Sequence, residues 1–352
     1  MRKCCPLALL TIPLLLLQLM TEGCERRPLE EEMPASVPIP VTIHWDDAGI
    51  IPQNVTMLVY NQEGQLCKEH LFENKGMTTN TTLSLPMGQY SVVVVNELRD
   101  QIDYIHIRGH EHLSTLEAYI TQATTVYGTK GRANGDQIVH QPGMLATLLT
   151  TITVSPQMLM EFNRGAIITQ SLLDEYKRLS NLRPLLRTVP VAVRVGVKGL
   201  HNALMPALAE LRNFAGGYLI GQEKNSMTPV TTQFTMNNRQ YHQGSETDGT
   251  ISAGVVTLGL MGNRTTADDS LPGGIYLNVW FQLVDSAHTQ VGFEWNITDQ
   301  IVIDNQEKKL SLLIDVSTPE PLPDVQPEGS DDSGFNSELV DWETEDVQID
   351  LQ

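Results

Sequence analysis

Four consecutive valines, Val92 to Val95, constrain this chain more than any other stretch. β-branched side chains are stiff and pack well on a pleated surface. An unbroken run of them reads as a strand suited to a sandwich interior. Upstream, Leu83 and Leu85 alternate with polar residues, and Pro86-Met87-Gly88-Gln89 supplies a turn. The stretch from Thr81 to Asn96 therefore reads as a hairpin.

The same grammar recurs along the chain. Val41 to Trp45 alternates and opens the first domain. Asn54–Tyr60 and Leu66–Phe72 flank Asn61-Gln62-Glu63-Gly64, another hairpin signal. Leu113 to Gln122 reads as a short helix or an edge element, Gly128 to Gly143 as a loop, and Leu145 to Val154 as a strand. Met158 to Leu182 is the one moderately helical stretch, with Ile168, Leu172, Leu173 and Tyr176 at three-to-four spacing. Pro184 disfavours helix in the residue before it, which places a boundary around Asn181–Leu185.

Beyond it, Val189–Val197, Tyr218–Gly221, Thr231–Met236 and Thr250–Leu260 follow as strands. Gly274–Val284 and Val291–Ile297 flank the turn Asp285-Ser286-Ala287-His288, and Leu310–Val316 closes the series. Strands at intervals of roughly ten residues predict an all-β chain with two β-sandwiches in tandem, over 41–182 and 183–317. With 41% hydrophobic and 18% charged residues, the chain has the means to fill such cores.

The N-terminus has an export layout. Arg2 and Lys3 precede an uncharged run centred on Leu14–Leu17, and Glu22-Gly23-Cys24 closes it. Pro6, Pro13 and Gln18 interrupt a run already near the lower limit for a membrane span of roughly 20 residues. Cleavage after Gly23 is the leading expectation; an uncleaved anchor and a soluble secreted form are the alternatives. Gly23-Cys24 resembles the lipobox of bacterial lipoproteins, whereas Thr21 and Glu22 depart from its usual lead-in. That resemblance implies acylation of Cys24, a tether to lipid that does not span the bilayer. Residues 24–40, acidic and proline-rich, read as an extended spacer.

Removing residues 1–23 leaves only Cys24 and Cys67 of the four cysteines. A lipidated Cys24 leaves Cys67 without a disulfide partner, so Cys67 is expected as a small buried apolar side chain. The net charge of −19 argues against nucleic acid as a partner. From Thr318 onward there are eleven acidic residues and no Lys or Arg. Residues 318–352 therefore read as an acidic tail, proline-rich at first. Near its end Val347, Ile349 and Leu351 alternate with polar residues, so the tail is suited to pairing with a sheet.

The sequence carries no Gly-x-Ser-x-Gly elbow, no phosphate-binding glycine loop and no His-Glu-x-x-His, and no catalytic residue or cofactor is expected. His106, His110 and His112 invite a metal reading, but an edge strand or loop in water explains them better. Asp46-Asp47, Asp268-Asp269 and Asp331-Asp332 read as turn or tail carboxylates. Four Asn-x-Thr sequons, at Asn54, Asn80, Asn263 and Asn296, and the short Asp269-Ser270-Leu271 and Asp285-Ser286-Ala287 motifs carry little weight alone. Trp45, Trp280 and Trp295 offer an alternative function, stacking on surface glycans, against the plainer reading of each as core.

Several of these stretches together resemble the fimbrillin-associated, FimB-like lipoproteins of Bacteroidales. They are Cys24-Glu25-Arg26-Arg27-Pro28-Leu29, Leu85–Tyr90 with the valine strand and Asn96, and Val195-Gly196-Val197-Lys198-Gly199-Leu200. Thr232–Arg239 and the closing Gly334-Phe335, Asp341-Trp342 and Val347–Asp350 complete the likeness. The resemblance implies two transthyretin-like, Greek-key sandwiches on an outer-membrane protein held by lipid through Cys24. It also implies fimbrial subunits as partners, joined by strand exchange.

Overall fold

A computed structural model describes residues 36–97, 102–123, 137–159, 170–262, 274–304 and 311–327. The leader, Cys24, Val347, Ile349 and Leu351 lie outside the described residues, as do the two motifs at Asp268–Leu271 and the sequon at Asn263.

The all-β expectation holds. The first part contains β1 (Val37–His44), β2 (Asn54–Tyr60), β3 (Leu66–Glu73), β4 (Thr78–Leu85) and β5 (Gly88–Val95). Then come β6 (Ile105–Arg108), β7 (Glu117–Ile120), β8 (Ile138–Val139), β9 (Ala146–Val154), the helix α1 (Gln170–Leu179) and β10 (Leu185–Leu186). β1 and β4 form a two-stranded sheet facing a five-stranded one of order β10-β9-β5-β2-β3.

The valine run sits at the middle of that larger sheet, paired with β2 on one side and β9 on the other. All four valines are fully buried. Val92 and Val94, with Met57 and Val59, join the core under β1 and β4; Val93 and Val95, with Leu58 and Tyr60, join a second core on the opposite face. Burial on both faces is why these strands are continuously apolar instead of alternating.

β1 begins at Val37, inside the segment read as a spacer. Its first half has only β4 as a partner among the described residues, so Pro38 and Pro40 can turn their missing donors to the free side. The helical expectation is met by α1, which packs on β1 and buries Leu179; residues 160–169 are outside the described set. The stretch read as short helix or edge contains both, a single 3₁₀ turn at Leu113–Thr115 followed by β7.

The second part adds β11 (Val189–Val197), β12 (Ala203–Ala215), β13 (Gly217–Leu219), β14 (Lys224–Asn225), β15 (Pro229–Met236) and β16 (Asn238–Tyr241). It continues with β17 (Gly249–Thr257), β18 (Tyr276–Leu283), β19 (Gln290–Asn296), β20 (Val302–Asp304) and β21 (Ser311–Ser317). A sheet β16-β17-β11-β21-β20 packs on a sheet β19-β18-β12-β15-β8, with Val191, Val193, Val195 and Ile314 meeting Ala209, Leu211, Val279 and Phe281. A further sheet, β14-β13-β7-β6, abuts the second face of the valine sheet.

Two pairings join strands from opposite sides of residue 182. β7 pairs with β13, and β8 lies parallel to β15. One hydrophobic core consequently runs from Leu58 and Val93 through Ile105 and Ala118 to Val193 and Phe281.

Residues 318–327, the proline-rich start of the acidic tail, are seated on the second sandwich. Thr318 donates its N–H to Gly196 O at 2.8 Å, Leu322 donates to Lys198 O at 2.9 Å, and the Leu322 side chain is buried. The prolines of this segment have no N–H to satisfy, so two backbone bonds and one leucine suffice to seat it.

Candidate functional site

The sequence-level site residues divide between those the structure describes and those it does not. Cys24, Val347, Ile349 and Leu351 are outside the described residues. The three histidines do not converge. His106 is exposed on β6 and lies near Tyr119, and His110 offers its carbonyl to Tyr60 Oη at 2.9 Å. His112 caps a 3₁₀ turn by accepting from Ser114 N at 3.3 Å. Among the described residues no three His, Cys, Asp or Glu side chains are grouped to hold a metal ion.

Trp45, Trp280 and Trp295 do not form one platform. Trp45 is fully buried in the first core, where its Nε1 donates to Thr79 Oγ1. Trp280 and Trp295 are half-buried on neighbouring strands of the second sandwich, and Trp295 Nε1 donates to Ser317 O at 3.0 Å. Opposite residues on antiparallel strands share a face, and here Trp280 stands against Gly292 while Trp295 stands against Leu277. Strand alternation therefore sends the two indoles to opposite faces.

Cys67 corrects its expectation. It is exposed, at the point where β3 is shifted by one residue against β2, and its Sγ lies 3.5 Å from Gln65 O. The register shift takes the residue out of the alternation that a sequence reading assumes.

What remains as functional surface is strand edge. An edge strand presents unpaired N–H and C=O groups, and natural edges are blunted by charges, prolines or bulges. The outer edge of β3 carries Lys68, Glu69 and Glu73 as well as the bulge. β1 carries its two prolines, and its far end is closed by Leu182, which exchanges backbone bonds with Thr42 and His44. β19 carries Glu294, held 3.2 Å from Arg212.

β4 differs from all three. Its eight residues, Thr-Thr-Asn-Thr-Thr-Leu-Ser-Leu, contain no charge and no proline, and its register with β1 is continuous. Its other edge has no strand partner among the described residues. Thr79, Leu83 and Leu85 point into the core, which leaves Thr78, Asn80, Thr82 and Ser84 on the outer face. Leu83 and Leu85 mark the strand in the sequence. An edge position is a property of the sheet order, and no local pattern encodes it.

Comparison with known proteins places the chain. No curated protein matches it. Among solved structures, an adhesin candidate from Bacteroides ovatus is 18% identical, with 85% of this chain and 98% of that chain covered and a TM-score of 0.49. A polysaccharide-binding candidate (DUF1812) from Bacteroides thetaiotaomicron is 13% identical, with 80% and 90% covered and a TM-score of 0.46. The fimbrial anchor protein Mfa2 from Porphyromonas gingivalis is 13% identical, with 74% and 83% covered and a TM-score of 0.40. These likenesses are distant, and the fold stands on the strands described above. The family model for a domain of unknown function, DUF5119, matches residues 23–235, from beside Cys24 to the end of β15. With more than half of its length inside that match, the chain belongs to the DUF5119 family.

Proposed function

We propose that this protein is a non-enzymatic surface lipoprotein of the outer membrane, tethered through acylated Cys24, that joins fimbrial subunits by β-strand pairing. The observation that carries the reading is the uncharged, proline-free outer edge of β4. A strand added there gains main-chain hydrogen bonds, and alternate side chains give it specificity. The tail residues Val347, Ile349 and Leu351 have the period that a donated strand needs, and they are the proposed donor side of the same chemistry. The start of the family match beside Cys24 supports including that cysteine in the working protein.

The test separates the two sides. Thr82→Lys puts a charge on the open edge, and deletion of 347–352 removes the donor. Each is expected to reduce incorporation of fimbrial subunits at the cell surface while leaving the melting transition in place. Normal fimbriae in both variants would refute strand pairing as the mode of assembly.

A further inference from the structure

A second opening lies in the other sandwich. β8 pairs with β15 only at Thr231 and Thr232, and β16 pairs with β17 only as far as Ser252. Beyond those positions, toward Met236 on β15 and Thr257 on β17, no strand pairs on that side among the described residues. Residues of both contribute to a cleft of about 570 Å³.

Its chemistry is specific. Polar side chains come from His140, Gln141, Gln233, Thr235 and Asn237, while Val139, Leu208 and Phe234 supply apolar surface. Among the described residues no Asp, Glu, Lys or Arg lines it. Carboxamides offer a carbonyl acceptor and two N–H donors each, the complement of a hydroxyl-rich ligand. Gln233 is already oriented, since its Nε2 donates to Glu210 Oε1 at 3.0 Å, and Glu210 is itself buried.

The wall at His140 carries an aromatic pair. Tyr104 stacks on the imidazole, with ring centres 4.1 Å apart and planes 20° from parallel. Tyr104 is 49% exposed and its backbone has φ 57, a conformation unusual for a bulky residue. Two bonds from Thr121 to Tyr104 O, at 2.8 and 3.3 Å, hold it there. Tyr104 is not itself among the lining residues; it backs the His140 ring, which is.

We propose that this cleft binds a short neutral saccharide. The volume lies within the range of ligand sites, the amides match hydroxyls, and His140, its ring held by the stack on Tyr104, is the aromatic group in the wall. The inference stands apart from assembly at β4, and either can fail alone.

The experiment is saturation-transfer NMR and calorimetry on the full purified chain. The probes are glucose, galactose, mannose, N-acetylglucosamine and their disaccharides, with sialic acid and a peptide of residues 340–352 as comparisons. Gln141 and Asn237 are both exposed, so the double variant Gln141→Ala/Asn237→Ala is expected to melt as the parent does. It should bind the neutral sugar at least about tenfold more weakly. Saturable binding of a neutral sugar with that loss supports the proposal. Failure of every neutral sugar to saturate, sugar binding that the double variant retains, or binding of sialic acid or the peptide in place of neutral sugars would overturn it.

Discussion

Trp45 donates its indole N–H to Thr79 Oγ1 across 2.9 Å, at a point where both side chains are buried. Thr79 Oγ1 in turn donates to Asn74 Oδ1 at 2.7 Å, and Asn74 Nδ2 reaches Pro52 O at 2.8 Å. The chain of bonds ties β4 to the end of β1 and to the β1–β2 and β3–β4 connections. It positions the edge proposed for assembly.

Thr79→Val removes both bonds of the hydroxyl and strands the buried Trp45 N–H. A loss of about 1–3 kcal/mol is expected, because an unmade buried hydrogen bond costs the full desolvation of its donor. Urea denaturation followed by circular dichroism measures it. An unchanged midpoint would mean that the ladder contributes nothing.

Arg187 bridges the two halves. Its Nε donates to Thr147 Oγ1 on β9 at 2.9 Å, its Nη2 lies 3.1 Å from Glu223 Oε1, and its guanidinium sits 5.1 Å from the Tyr218 ring centre. Arg187→Ala is expected to cost about 1–2 kcal/mol, mostly through the half-buried bonds and the ring contact. The same denaturation experiment reads it.

Tyr218 gives a pH dependence. Burial pushes its phenol above the ordinary value; Arg187 pulls it down and Glu223 pushes it up again. A raised folded-state pKa contributes stability that is fully present below the unfolded value of about 10 and is lost as pH rises through the folded one. Stability should therefore fall above about pH 10, and Tyr218→Phe should flatten that fall. Urea midpoints collected across the alkaline range check the difference.

Leu322 seats residues 318–327, and Gly199 makes room for it. Gly199 has φ 71, and a Cβ there would stand 3.0 Å from Leu322 O. Leu322→Ala is expected to cost about 2–3 kcal/mol, as for other buried leucines. It should also open Thr318–Pro327 to proteolysis well before global unfolding. Cleavage at parental rates would show that the segment is not held by this side chain.

Cys67 should react quickly. In a folded chain beginning at Glu25, one equivalent of thiol reagent is expected without denaturant, because Cys67 is exposed. Reaction only after unfolding would contradict the bulged geometry of β3.

The valine run, the Leu83–Leu85 alternation and the Asp285–His288 turn were legible in sequence because each signal is local. Asp285 shows why: its carboxylate takes both the N–H and the hydroxyl of Thr289, at 2.8 and 2.6 Å, within the turn itself. β12 was not legible. Ala207-Leu208-Ala209-Glu210-Leu211-Arg212 is composed of good helix formers, yet it lies between β15 and β18, and pairing on both sides overrides propensity. Pro206 falls where the register with β18 shifts, between Leu204 and Leu208, so its missing N–H leaves no gap in the ladder. The pairing of β7 with β13 and the open edge of β4 are relations between distant segments. Neither leaves a mark on the residues themselves.

Tethering through Cys24 is tested most directly by the intact mass of the chain extracted from its native membrane, beside a Cys24→Ala variant. A mature N-terminus at Cys24 carrying fatty-acyl mass, absent from the variant, is the predicted result. An intact leader, or an unmodified chain recovered in the soluble fraction, would contradict it.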